Sequence, residues 1–316
     1  MPSVRARLPL VAVLAVGAVG ALGACGGGGE APAVRTSSTA ATGSGAARAA
    51  AAPALCGRLD VRVAGHVHAP EATELSGLVL SPTRRGVLWS HNDSGDRARL
   101  FALRTDGSLI ASLDVPGARA VDWEDIAVGP DDTLLVGDIG DNRASRASID
   151  VWRVKEPRLG DRPATTAPAT RLSLKYPDGA HDAETLIADR RTGEVVVVTK
   201  RVDGRSGVYA ASVTAPETLR KVTTLRLGLG GLATAGDVSA DGRVVAIRTY
   251  TALYVWSKRP GASIASALKR KPCVGSAPLL AEGQGESLAL SGDGRSFYTV
   301  PEGANAVLRR YTTTRK

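Results

Sequence analysis

The sequence predicts an all-β domain, a β-propeller of five blades whose ring is closed by an N-terminal strand. Three observations carry that expectation. A unit opening on an acidic residue recurs at Glu74, Glu124, Glu184, Asp237 and Glu286, at roughly the spacing of propeller blades. After each acid come a short apolar run, a turn and a second apolar run, and most units continue into a third. The last unit supplies only three strands, while a spare alternating segment, Leu59-Asp60-Val61-Arg62-Val63, precedes the first. One such unit cannot bury both of its faces, so it stacks on its neighbours. Pairing the two chain ends then removes the open edges. A sixth blade hidden in the long connections is the alternative count.

The chain has 316 residues, and its start reads as targeting rather than fold. Arg5 and Arg7 precede an apolar run from Leu8 to Leu22, as in an export signal spanning 1–24. Leu22-Gly23-Ala24-Cys25 resembles a bacterial lipobox, which implies that Cys25 is lipidated and becomes the mature N-terminus. The expected location is then outside the cell membrane, anchored to its outer face by that lipid. Secretion without lipid and an uncleaved anchor are the alternatives. Residues 25–55 carry four glycines followed by Ala, Ser and Thr, a composition for a flexible tether. The propeller is expected over 56–316.

Cys56 and Cys273 stand at the start and in the final quarter of that domain. Outside the cell they can form a disulfide that clamps the first strand to the later blades. The other reading is two separate buried thiols.

In blade one the strands fall at 74–80, 86–90, 99–103 and 108–113, with Asp106-Gly107 as a hairpin turn. Blade two runs from Asp122-Trp123-Glu124-Asp125 through Thr133–Asp138 and Ile149–Val154 to Arg171–Lys175. Blade three holds Val195-Val196-Val197-Val198, a run suited to a central strand buried on both faces. Its later strands fall at 207–211 and 221–227. Blade four has strands near Asp237, at 244–247 and at 252–256. Ile264–Leu268 is expected as its outer strand, with a short helix as the alternative. Blade five opens at Glu286 and continues at 296–300 and 307–311. Trp89, Trp152 and Trp256 lie in strands and are expected between blades, whereas Trp123 sits beside Glu124.

The net charge is +9, with basic residues dispersed rather than gathered into a nucleic-acid motif. Nucleic acid is therefore not an expected partner. Aromatic residues make up only 4% of the chain, which argues against a stacking platform. A Gly-x-Ser-x-Gly elbow, a P-loop and a dinucleotide fingerprint are all missing from the sequence.

The repeat is expected to bring Glu74, Glu124, Glu184 and Glu286 to one end of the channel, with Asp237 in the matching place of blade four. Asn92, Asp93, Asp138, Asp141 and Glu302 follow the second strands. Oxygen ligands of this kind suit a hard cation, calcium before a transition metal. Alternatively the carboxylates cap tight turns or pair with arginines. His181 and Asp138 are the candidate acid–base groups, though a lone loop histidine more often serves its neighbours.

Glu74-Leu75-Ser76-Gly77-Leu78, then Asn92-Asp93, then Asp122-Trp123-Glu124-Asp125-Ile126-Ala127 resemble the opening blades of the SdiA-regulated and esterase-like-phytase group of β-propellers. The chain also resembles exported bacterial lipoproteins. The resemblance implies a propeller with calcium in its channel and matches Glu74, Glu124, Glu184 and Glu286 to the acidic positions. Two functions follow as expectations. The first is a monomeric cell-surface binding or scaffold module with a structural calcium ion, its partner an envelope protein or a small molecule. The alternative is a metal-dependent hydrolase of phosphoesters, esters or lactones.

Overall fold

The computed structural model describes residues 53–160, 165–214, 218–228 and 230–314. The export signal, Cys25 and the tether up to residue 52 lie outside the described residues. Leu55, placed by sequence in the tether, is fully buried against Leu59 and Leu279.

Five four-stranded antiparallel sheets form the described domain. Blade one is β2 (Leu75–Leu80), β3 (Val87–Asn92), β4 (Arg99–Arg104) and β5 (Leu109–Asp114). Blade two is β6 (Trp123–Val128), β7 (Thr133–Asp138), β8 (Ile149–Lys155) and β9 (Thr170–Leu174). Blade three is β10 (Ala183–Ala188), β11 (Glu194–Thr199), β12 (Gly207–Ser212) and β13 (Arg220–Thr224). Blade four is β14 (Ala233–Val238), β15 (Val244–Thr249), β16 (Leu253–Ser257) and β17 (Cys273–Gly275). Blade five is β18 (Ala289–Leu290), β19 (Ser296–Thr299), β20 (Val307–Thr313) and, outermost, β1 (Leu59–His66).

The five-bladed ring is thus closed by β1 on β20, with Leu59 opposite Thr313 and His66 opposite Val307. The segment Ile264–Leu268 is a short helix, α1, and the outer strand of blade four is Cys273–Gly275 instead. Two interactions favour the helix over a strand there. Ser263 caps it by accepting from Ser266 N–H, and the Glu194 carboxylate accepts from Ile264 and Ala265 N–H. Cys56 and Cys273 are bonded, with Cα atoms 5.5 Å apart, which ties the approach to β1 onto the edge of blade four.

The core lies between blades rather than within them. Each of five buried clusters draws on two adjacent blades. Val195 to Val198 of β11 are buried on both faces because Val195 and Val197 meet blade two and Val196 and Val198 meet blade four. The apolar runs read from the sequence follow from that arrangement, since a strand covered on both sides does not alternate.

Candidate metal centre

The innermost strands share an irregularity that shapes the site. Pairing of β6 with β7 passes from Trp123 to Asp125, so Glu124 has no partner of its own. In the same way β10 skips Glu184, β14 skips Thr234 and β2 skips Gly77. A bulge releases one residue from the ladder and re-aims its side chain. In β2 the skipped residue, Gly77, lies one place beyond the equivalent of Glu124, with φ 65°, and a Cβ there would lie 2.8 Å from the Asp125 backbone.

Aligned through these pairings, Ser76, Glu124, Glu184, Thr234 and Glu286 occupy equivalent places on the inner strands. A second equivalent set lies just beyond the second strands: Asp93, Ile139, Lys200, Tyr250 and Glu302. The two sets meet at the mouth of the ring formed by the starts of the inner strands.

Two overlapping groups of carboxylates result. Asp93, Asp122 and Glu124 can bring one oxygen each within 4.8 Å of one another, and so can Asp93, Glu286 and Glu302. Asp93 belongs to both. Glu124 and Glu286 are buried, at 2% and 3% exposure, whereas Asp93, Asp122 and Glu302 are half-buried and line the open side. Asp93 Oδ1, Glu124 Oε2 and Glu184 Oε2 are buried with no hydrogen-bond partner among the described residues. Such oxygens are costly to leave unpaired.

Lys200 crosses the mouth beside this cluster. Its ammonium contacts Glu184 and lies 3.7 Å from Glu286 Oε1 and 3.3 Å from the Tyr250 hydroxyl. Tyr250 in turn donates to Glu286.

The electrostatics follow from crowding. Burial raises the Glu124 carboxyl well above the ordinary range, and Glu184, Asp93, Asp122 and Glu286 add to the shift. Burial also raises Glu184, although Lys200 opposes it. Asp93 is pushed up to about 7 by burial, aided by Asp122, Glu286 and Glu74. Glu302 is pushed up to about 9 by burial and by its hydrogen bond and charge contact with Glu286. Burial works against ionising Glu286 as well, but hydrogen bonds from Glu302 and Tyr250 and the Lys200 charge outweigh it and lower its pKa. Lys200 is held charged by Glu184, Tyr250 and Glu286 against the cost of burial. Facing carboxylates that resist ionisation in this way are relieved by a bound cation.

Of the remaining sequence candidates, Glu74 borders the cluster and the others lie outside it. Glu74 is exposed and stands at the place equivalent to Asp122, two residues before Ser76. Asp237 lies three residues beyond Thr234, and its carboxylate accepts from Val238 N–H at 2.7 Å and Leu290 N–H at 2.8 Å. An acid followed by an apolar run does not reveal a bulge, so the repeat aligned both residues out of register. Asp138 is fully buried and accepts from Arg146 at 2.8 Å and from Asp122 N–H at 3.2 Å. Asp141 accepts from Arg146 N–H at 2.7 Å. The Asn92 amide donates to Glu71 O and Asp96. His181 is bound to Asp178 at 3.0 Å and Tyr209 at 2.9 Å, in a cluster completed by Lys221. Trp123 is buried between blades one and two and donates to Arg119 O.

Sequence reasoning missed Lys200 and Tyr250, and it did not set Asp122 apart as a ligand. Their signal lies in position, because Lys200 and Tyr250 directly follow the second strands of blades three and four just as Asp93 follows that of blade one.

No family model and no curated protein matches the chain. Among solved structures it is similar to a proposed gluconolactonase, at 13% identity and TM-score 0.45, covering 81% of this chain and 92% of that one. It is also similar to virginiamycin B lyase from Staphylococcus aureus, at 12% identity and TM-score 0.40, covering 78% and 68%. A third likeness is to a proposed 6-phosphogluconolactonase from Bacteroides uniformis, at 16% identity and TM-score 0.40, covering 75% and 71%.

Proposed function

We propose that the propeller binds a divalent cation at its acidic mouth and uses it to hydrolyse a small ester, lactone or phosphoester. The observation that carries this reading is the asymmetry of the carboxylate cluster. Glu124 is buried with an unpartnered oxygen, while Asp93, Asp122 and Glu302 border the open side. A cation held from beneath keeps positions free toward solvent, as catalytic metal sites do. An all-oxygen set favours a hard ion of the calcium kind.

Asp93, Asp122 and Glu124 are one proposed ligand set, and Asp93, Glu286 and Glu302 are the overlapping alternative. The bound ion would polarise the carbonyl or phosphoryl oxygen of the substrate. Lys200 supplies a fixed positive charge for the developing oxyanion, held in place by Glu184 and Tyr250. In the reaction a water oxygen bonds to the carbonyl carbon or phosphorus, the ester bond breaks, and the water proton passes to the departing oxygen.

A second reading is a binding or scaffold module in which the ion is structural. It is favoured by the origin of the ligands, since Asp93, Glu124 and Glu286 come from blades one, two and five. The purified protein separates the two. Metal content is measured first, then hydrolysis of chromogenic esters, phosphoesters and lactones with calcium, with magnesium and with chelator. Metal-dependent turnover lost in a folded Glu124→Gln variant supports the hydrolase. Metal binding and calcium-dependent melting without any turnover supports the structural ion.

We also propose that the protein is exported and anchored through lipid on Cys25, on the strength of residues 5–25. Detergent-phase partitioning in cells tests this, and Cys25→Ala is expected to move the protein to the aqueous phase.

A further inference from the structure

The other end of the ring carries a cavity of about 230 Å³. Its floor is made by the last residue of every inner strand: Leu80, Val128, Ala188, Val238 and Leu290. One residue from each blade thus forms an apolar ring. Its rim is basic, and the charge comes from two opposed turns. Arg84 and Arg85 lie in the β2–β3 turn of blade one, and Arg190 and Arg191 lie in the β10–β11 turn of blade three.

The acids around this cavity offset only part of that charge, through Arg84 and Arg191, and leave Arg85 and Arg190 free among the described residues. Asp189 is paired with the buried Lys258 at 2.8 Å, accepts from Arg191 N–H and lies 3.9 Å from the Arg191 guanidinium. Asp237 is occupied by Val238 and Leu290 N–H. Asp241 and Asp293 in the neighbouring turns do not line the cavity and accept from their own Ser239, Ser291, Arg243 and Arg295 groups. Arg84 is half-buried, steered by Glu156 at 3.4 Å. The Arg191 guanidinium lies over Gly242, where a Cβ would be 3.0 Å from it. Arg85 and Arg190 are exposed and make no hydrogen bond or ion pair among the described residues.

We propose that this cavity binds a small amphiphilic anion, an organic carboxylate whose apolar body fills the ring of strand ends and whose charge meets the arginines. The chemistry is that of most small-molecule sites, an apolar interior with a few placed polar groups. Guanidinium forks are suited to a carboxylate. An inorganic anion would leave the apolar floor unfilled, and a neutral apolar molecule would forgo the arginines. The site is separate from the acidic mouth and does not depend on any cation there.

Two probes test it on the whole protein: the fluorescence of 1-anilinonaphthalene-8-sulfonate, and its displacement by octanoate or by inorganic phosphate. Saturable probe binding displaced by octanoate, and not by phosphate at equal concentration, is expected. The double variant Arg85→Glu, Arg190→Glu should weaken it about tenfold or more by reversing two exposed rim charges. Ala240→Trp, an exposed substitution at the rim, should block it by steric closure. Glu124→Gln should leave it unchanged, which separates this site from the metal centre. Binding that survives both rim variants, or equal displacement by phosphate, overturns the proposal.

Discussion

The carboxylate of Asp125 in blade two accepts the backbone N–H of Gly236 in blade four, at 3.1 Å and across 111 residues of sequence. The same oxygen accepts Leu186 N–H of blade three at 2.9 Å, while the other accepts Ile126 N–H. Asp125 is fully buried. A single side chain therefore fixes the inner strands of three blades, directly behind the bulges that present Glu124 and Glu184.

Asp125→Ala should leave those donors unpaired in the core, at about 1–3 kcal/mol each. We expect a loss of several kcal/mol in urea denaturation. Asp125→Asn should retain much of it, since its amide oxygen can still accept from Leu186 and Gly236.

Calcium should raise the melting temperature and a chelator should lower it. An ion that binds only the folded chain adds about 2.7 kcal/mol at a hundredfold excess over its dissociation constant. Differential scanning calorimetry on Glu124→Gln should show the calcium increment gone.

The bond between Cys56 and Cys273 spans 217 residues, so it restricts the unfolded chain strongly. Its removal by paired Ser substitutions should cost about 2–5 kcal/mol. Hydrogen exchange should quicken first in β1 and β17, the edges it joins, and least in β6 and β10 at the axis.

Asp178 gives a signature in acid. Burial works against its charge, but hydrogen bonds from Lys221, His181 and Tyr209 outweigh that and bring its pKa to about 2 from an ordinary 3.8. The folded state thus holds its proton less tightly than the unfolded state. The stabilisation is complete above about pH 4 and is lost as pH falls toward 2, and it amounts to about 1 kcal/mol once solvent screening of this partly exposed carboxylate is counted. Acid titration of Asp178→Asn should lack that step.

The five blades and their closure were legible because each unit repeats its turns and apolar runs, and because Leu59–Val63 had no other place to pair. The mouth was legible only in part. Glu124, Glu184 and Glu286 open their units, but Glu74 and Asp237 look the same in sequence and stand two and three residues away from the equivalent places, Ser76 and Thr234. Lys200 and Tyr250 went unseen for a different reason. They differ in type from Asp93 and Glu302, and only strand pairing reveals that they occupy the same place. The helix α1 turned on Glu194, a partner about seventy residues away in sequence, which no local pattern contains.

Closure by β1 sets an order on assembly. Among the described residues the first strand of the propeller has β20 as its only strand partner, at the far end of the domain. Blades one to four can gather as the polypeptide emerges, but the fifth waits for β20. Until then β1 remains an unpaired edge, and Glu286 and Glu302 are not yet held beside Asp93. A chain cut short before β20 would lose its ring and its acidic cluster in the same event.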